Sequence, residues 1–407
     1  MRILQVNKFY YPRGGADKYF LWLTGALEKA GHAVAVFSMN HPKNLPTPWS
    51  RYFVSRVSFN EGGIKNRLKV PGRVLYSFAA KRKFARLVKD FQPDVIHIHN
   101  IYHHLSPSIL TVAGHNHIPV VMHLHDYKLI SPDYNLLSKD TGYQRDIRPK
   151  KYYQYLFSRA VKSSYLATAL AVIEMYLHHS ILKIYEKNIS LFIAPSQFMR
   201  DTVIKSGWPK NKIVTVYNPY SPDLKPKATI GKIPYTGEYL LYFGRLNSEK
   251  GIATLITAAS QIREKLKIAG AGPEESNLKE LARKTNSEIE FLGFKTAAEL
   301  QPLIAGAKAV VIPSIWPENM PLSLLEAMNF GKIVIASNIG GLPEIIKDGK
   351  NGLLFEPGNE VDLIRQIKRL DNIDGDKLSR AAAKTAGELS PENNLNKIIA
   401  IYKSITG

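Results

Sequence analysis

The chain has 407 residues, 45% of them apolar, long enough for two domains that each bury a core of their own. It contains no cysteine, which excludes disulfides, thiolate metal sites and cysteine nucleophiles. The formal charge of +21 sits almost wholly in the first half, where residues 1–225 hold 32 Lys and Arg against 13 Asp and Glu, an excess suited to anionic partners such as lipid headgroups, phosphorylated acceptors or nucleic acid.

Short apolar, β-branched runs alternate with helical patterns from end to end, the signature of βα units on a parallel sheet. In the first half they predict strands at 2–6, 33–38, 94–99, 119–124, 191–194 and 213–217. The opening run, broken by Asn7 and Lys8, is too short for a secretory leader and reads as the first strand. Gly14 and Gly15 follow it, where glycine permits close backbone approach. Residues 51–90 supply eleven basic side chains interleaved with Phe53, Phe59, Tyr76, Phe78 and Phe84. That pattern suits a membrane surface, a phosphate-bearing acceptor or a solvated helix face. His97/His99, His115/His117 and His123/His125 each form H-x-H, and alternate residues of a strand share a face. No third and fourth metal ligands can be assigned, so these read as strand-end histidines lining a polar cleft, with no metal. The apolar stretch 163–182 would drag Glu174, His178 and His179 into hydrocarbon if it spanned a bilayer. It is expected as an interior or surface-lying helix of a cytoplasmic protein.

Residues 219–238, rich in Pro and Gly and without apolar periodicity, read as a linker. Beyond it, strands are predicted at 239–243, 267–269, 290–292, 309–312 and 333–336. Arg245 and Lys250 lie at the first strand-to-helix turn of this half, with Gly251 opening the helix, well placed to neutralise a diphosphate leaving group. Gly270 opens a glycine-rich turn that by itself reads as an ordinary βα connection. After the strand at 309–312 comes a loop carrying Glu318, then Pro321 at the expected first helical position, Glu326 inside the helix and Gly331 at its end. Such a helix start attracts a phosphate, and its two carboxylates suit sugar hydroxyls, although capping plus a surface Glu explains the segment alone equally well. The sole D-x-D, Asp374–Asp376, reads as a polar turn rather than a cation clamp. A last helical pattern covers 394–405.

The series G-R-L-x-x-x-K-G, G-A-G-P, F-L-G, P-E-N-x-P-L-S-x-x-E-A-M and G-G-L-P-E, spread over 239–357, closely resembles glycosyltransferase family 4, with Glu318 and Glu326 matching its E-x7-E motif. The resemblance implies an α/β chain of the GT-B type, two Rossmann-like domains whose parallel sheets face a central cleft. The expected division is an acceptor-binding domain at 1–220, a linker at 221–238, a nucleotide-sugar domain at 239–390 and a C-terminal helix at 391–407 that packs back on the first domain. It further implies a retaining, metal-independent enzyme without cofactor, whose donor is a nucleoside-diphosphate sugar. Arg245 and Lys250 would hold the diphosphate, Glu318 the hydroxyls of the donor sugar and Glu326 the ribose. Backbone groups of Asn319, Met320, Pro321 and Leu322 would line the sugar and phosphate pocket, with Gly14, Gly15 and Gly270 beside it, Phe294 against the base and His125 at the donor sugar. The expected acceptor is a glycan or lipid-linked glycan of a cell-surface polysaccharide. The protein is expected at the inner face of an anionic membrane as a peripheral partner, without nucleic acid. Two alternatives stand beside this reading: a nucleotide-sugar epimerase on the same fold, and a polyanion-binding protein without catalysis.

Overall fold

A computed structural model describes the chain except residues 57–71, 73, 74, 135, 137–148, 162, 163, 225–236, 286 and 287. Part of the expected linker and part of the basic stretch 51–90 therefore lie outside the described residues.

Two six-stranded parallel sheets organise the rest. The first runs β2-β1-β3-β4-β5-β6, from β1 (Arg2–Val6), β2 (Ala33–Phe37), β3 (Val95–Ile98), β4 (Val120–His123), β5 (Leu191–Ala194) and β6 (Ile213–Thr215). The second runs β12-β11-β10-β7-β8-β9, from β7 (Tyr239–Phe243), β8 (Lys265–Ala269), β9 (Ile289–Gly293), β10 (Ala307–Ile312), β11 (Ile333–Ser337) and β12 (Leu353–Phe355). Helices cover both faces of such sheets, so the central strands are buried on both sides and read as unbroken apolar runs. In β10 and β11, for example, Val310, Val311, Ile333, Val334 and Ile335 have no exposed surface.

Three expectations shift in detail. β8 and β10 each begin two residues earlier than expected, because Lys265 and Lys308 take strand positions ahead of the apolar runs. Lys267 lays its ammonium over the Tyr239 ring at 4.4 Å, and Lys308 reaches Glu264 and Asp371 at 2.9 and 2.8 Å, so both strands keep polar tips on apolar stems. β12 was not expected: three residues after a D-G-K-N-G turn are too few to show a period, yet Leu353 and Phe355 are buried against β11. His115 and His117 lie not on a strand but at the exposed end of the helix Leu110–His115 and in the loop beyond it.

The chain crosses between the halves twice. On the first crossing Tyr217, Tyr220 and Leu224 already pack on the second core, and Leu224 is anchored through its carbonyl to Asn329 Nδ2 at 3.1 Å. On the second, the helix Pro391–Thr406, capped by Ser390, returns to the first sheet. There Ile398 and Tyr402 are fully buried among Ile3, Leu23, Val95, Val121 and Ile193. Asn394 ties the two crossings together, donating to the Tyr217 carbonyl at 2.8 Å.

Candidate functional site

In an open parallel sheet, ligands gather beyond the carboxyl ends of the strands where the strand order reverses. In the second half that place lies between β7 and β10, since β7 leads outward to β8 on one side and neighbours β10 on the other. The two loops that leave it are Gly244–Lys250 and Pro313–Pro321, the segments that carry the sequence motifs. Gly251 keeps these loops in contact: its φ is +63°, and a Cβ there would stand 1.9 Å from the Pro313 carbonyl.

Lys250 and Glu318 meet directly. The ammonium donates to Glu318 Oε1 at 2.5 Å, Ser314 Oγ donates to the same oxygen at 2.6 Å, and the Lys250 Nζ lies 5.4 Å from the centre of the Trp316 ring. Glu318 is buried and the Lys250 side chain 16% exposed. The cation expected at the diphosphate and the carboxylate expected at the sugar thus form one pair. Arg245 stands two residues beyond β7, exposed and with no ion pair among the described residues.

The helix after this loop spans Leu322–Asn329. Pro321, expected as its first helical residue, is instead the residue before it, with ψ 132°. The fixed φ of proline serves an extended N-cap as well as a first turn, and no side chain caps this end. Gly331 follows the helix with φ +64°. Asn319 donates to the His125 carbonyl at 3.4 Å, while its buried Oδ1 accepts no bond among the described residues. Gly340 and Gly341 press against the same loop. A Cβ on Gly341 would stand 2.0 Å from the Asn319 carbonyl, and the Gly341 N–H donates to the Glu318 carbonyl at 2.7 Å.

Glu326 lies one turn inside the helix, buried, its carboxyl group without a hydrogen bond among the described residues. Burial raises its carboxyl to about 7, and the charge of Lys18 from the first half opposes the rise. Met320 is buried and offers its carbonyl to Asn218 at 3.4 Å, whereas Pro321 and Leu322 are partly exposed.

The first half meets this edge with a second uncapped helix start. Gly14 precedes the helix Gly15–Lys29 without a side-chain cap, and a Cβ on Gly15 would touch Leu322 at 3.7 Å. Two sets of free helix N–H groups therefore confront one another, a pairing that favours an anion between them. His125 follows β4, and burial together with Lys8 lowers its imidazole to about 3, so it is neutral at physiological pH. Gly270 bonds to Gly293 across the sheet edge at 2.8 Å, and Phe294 next to it is 73% exposed.

Sequence reasoning missed Lys8, Asp17 and Asp126. Burial lowers the Lys8 ammonium against the opposing charges of Asp126 and Asp17, and burial raises both carboxyls. Lys8 and Asp126 each stand a few residues past a strand of the first sheet, the one signal that could have singled them out.

The histidines do not line the cleft as expected. His97, His99 and His123 lie beneath it, with at most 1% of their surface exposed. Their rings stack within 20° of parallel, and His99 uses both nitrogens, on His125 at 2.9 Å and on Gln5 at 3.0 Å. Ligating nitrogens of these three lie within 4.8 Å of one another. However, lone pairs lie in the ring planes, and near-parallel rings do not aim them at a common point. Asp374 of the D-x-D caps the helix Gly375–Glu388, accepting from the Lys377 N–H at 2.9 Å.

Residues 13–224 match the family model described as Glycosyltransferase Family 4, and residues 227–389 match the one described as Glycosyl transferases group 1. A 42.6 kDa protein of the cps region of Klebsiella pneumoniae is 25% identical over 89% of this chain and 92% of its own. The O-antigen chain mannosyltransferase B of Escherichia coli is 30% identical over 56% of this chain and 63% of its own. With other curated relatives the aligned stretch spans about half of their length, 45% and 52% in two cases. Among solved structures, the Anabaena HepE protein in complex with UDP and glucose superposes with a TM-score of 0.65 at 20% identity, over 99% of each chain.

Proposed function

Since the chain belongs to glycosyltransferase family 4, is a glycosyltransferase and carries the GT-B fold of two Rossmann-like domains, we propose that it moves a sugar, with retention, from a nucleoside-diphosphate sugar to a glycan or lipid-linked acceptor in cell-surface polysaccharide synthesis. The observation that carries this reading is the pairing of two uncapped helix starts across the cleft, with Lys250 and Glu318 joined beside one of them. A diphosphate carries the negative charge such a place attracts, and a sugar attached to it supplies hydroxyls for the neighbouring carboxylate.

In this reading Arg245, Lys250 and the N–H groups at Leu322 stabilise the charge that grows on the departing diphosphate. Glu318 accepts from hydroxyls of the donor sugar and Glu326 from the ribose. Gly14 and Gly15 bring backbone up to the phosphates, and Phe294, at the rim beside Gly270, lies against the base. Neutral His125 positions the sugar, and the acceptor proton passes to an oxygen of the departing phosphate, so no protein base is required. The reaction needs neither cofactor nor divalent cation. Turnover should therefore survive exhaustive chelation, and a loss restored by magnesium would overturn that part.

The test is a thermal-shift panel of uridine, guanosine and adenosine diphosphates with their sugars, followed by NMR of the product's anomeric carbon. A ligand well above its dissociation constant raises the melting temperature, by stabilising only the folded chain. Silence across the panel, or a product of inverted configuration, is the outcome that defeats the proposal.

A further inference from the structure

Eight large hydrophobic side chains that stand exposed fall in one short stretch of the first half: Tyr153, Leu156, Phe157, Tyr165, Leu166, Ile173, Ile181 and Leu182. Phe157 is 90%, Leu166 82% and Ile181 69% exposed. The helix Tyr165–Met175 continues without a break into a π-helical turn, Tyr176–Ile181. Leu166, Leu170, Ile173, Leu177 and Ile181 recur along it at three- and four-residue intervals, so they share a single stripe.

The polar residues of this segment face the other way. Thr168, Glu174, His178 and His179 are all buried. Glu174 receives Lys128 at 2.9 Å and His103 at 3.2 Å, and His178 bonds the Leu75 carbonyl at 2.6 Å. Burial alone would raise the Glu174 carboxyl, but Lys128 and His103 more than offset it and hold it below the ordinary range. The groups that made this segment unfit to cross a bilayer are thus withdrawn into the protein, and the outward stripe carries no charge.

Its borders are basic. Lys150, Lys151 and Arg159 are exposed before it, Lys183 and Lys187 after it, and the Arg159 guanidinium lies 4.9 Å from the Tyr165 ring centre. From Pro149 to Tyr185 the sequence contains one acid, the inward Glu174. No helix among the described residues is long and apolar enough to cross a membrane. An apolar stripe with basic edges, too short to span, is the form of a helix that lies in the plane of a bilayer interface.

We propose that the exposed apolar side chains of 153–161 and 164–182 form a docking surface for an anionic lipid bilayer, the stripe entering the headgroup boundary and the flanking lysines and arginine meeting lipid phosphates. This deepens the proposed use of a lipid-linked acceptor by assigning membrane contact to this segment of the first half. It rests on that reading only for the purpose it serves.

The experiment is co-sedimentation of the full chain with vesicles of phosphatidylglycerol and phosphatidylcholine, against vesicles of phosphatidylcholine alone. The wild type should sediment with the anionic vesicles, less so as salt is raised. The combined variant F157S, L166S and I181S should weaken that binding by about tenfold or more, with an unchanged melting temperature, because all three side chains are exposed. A second variant, K150E with K183E, leaves the stripe intact and should lose the preference for anionic over neutral vesicles. Failure of the wild type to sediment, or full binding by both variants, overturns the proposal. So does a wild-type dimer in solution that the serine variant dissociates, which would mean that a second copy covers the stripe. Donor hydrolysis measured without vesicles reads the sugar-transfer reaction separately, so the two proposals fail by different signals.

Discussion

Lys250 and Glu318 bind each other at 2.5 Å, so in the proposed reaction each stands where the other's ligand would arrive. Replacing Lys250 by Ala should lower kcat by roughly a hundred- to a thousandfold, the scale of removing one donor to a developing negative charge. Ser314 still serves Glu318, so the melting temperature should move little. Steady-state turnover near that of the wild type would remove the pair from the mechanism. Glu326 makes a prediction of another kind. A carboxyl raised to about 7 in the folded chain holds its proton more tightly there than in the unfolded chain, so stability is lost as pH climbs from the ordinary carboxylate value through about 7. The loss at pH 8 is roughly 3 kcal/mol. Glu326→Gln should accordingly stabilise the protein at pH 8 and hardly at pH 5 by thermal melting, and an equal gain at both would refute the assignment. That the loops carrying Lys250 and Glu318 lie together was legible because both follow strand ends in a recognisable order. The grouping of Lys8, Asp17 and Asp126 was not, since Lys8 and Asp126 follow β1 and β4 while Asp17 lies in the helix Gly15–Lys29, and position past a strand does not tell which side chains meet.

At the scale of elements, strands buried on both faces were the easiest to read, and the early starts of β8 and β10 followed lysines at strand positions. The inward course of His97, His99 and His123 escaped because alternation tells which residues share a face but not what covers it. What covers it is the last helix, 391–406, whose Tyr402 hydroxyl bonds His97 Nδ1 at 2.6 Å. His97 Nε2 has no partner among the described residues, so Tyr402→Phe would leave a buried imidazole with neither nitrogen engaged. That should cost about 1–3 kcal/mol in chemical denaturation. A change confined to kcat, with stability intact, would assign the tyrosine to chemistry instead. The same helix shows what its apolar period at 394–405 could not: periodicity identifies a face, while the destination on the first domain was expected only from the family resemblance, and the first sheet supplies the complement.

At the scale of the whole molecule, hydrogen bonds join the two halves. The Glu344 carboxylate of the second half accepts the Gln197 and Phe198 N–H groups at 2.7 and 2.5 Å, capping a helix of the first half from outside. The Tyr127 hydroxyl donates to the Pro317 carbonyl at 3.0 Å, one loop away from Glu318. Glu344→Gln keeps the shape but gives up the charge at the helix start, and kcat/KM for the donor should fall by about tenfold through a smaller closed population. Small-angle scattering should show a larger radius of gyration for the variant, and unchanged scattering with unchanged kinetics would mean that the contact does not govern closure. Asn394, bonded to the Tyr217 carbonyl, joins the two passages of the chain between the halves. Because the Asn394 amide is buried and spends its donor on Tyr217, a shift of one passage against the other would strand a polar group inside the protein, and that penalty ties the two passages to a common position.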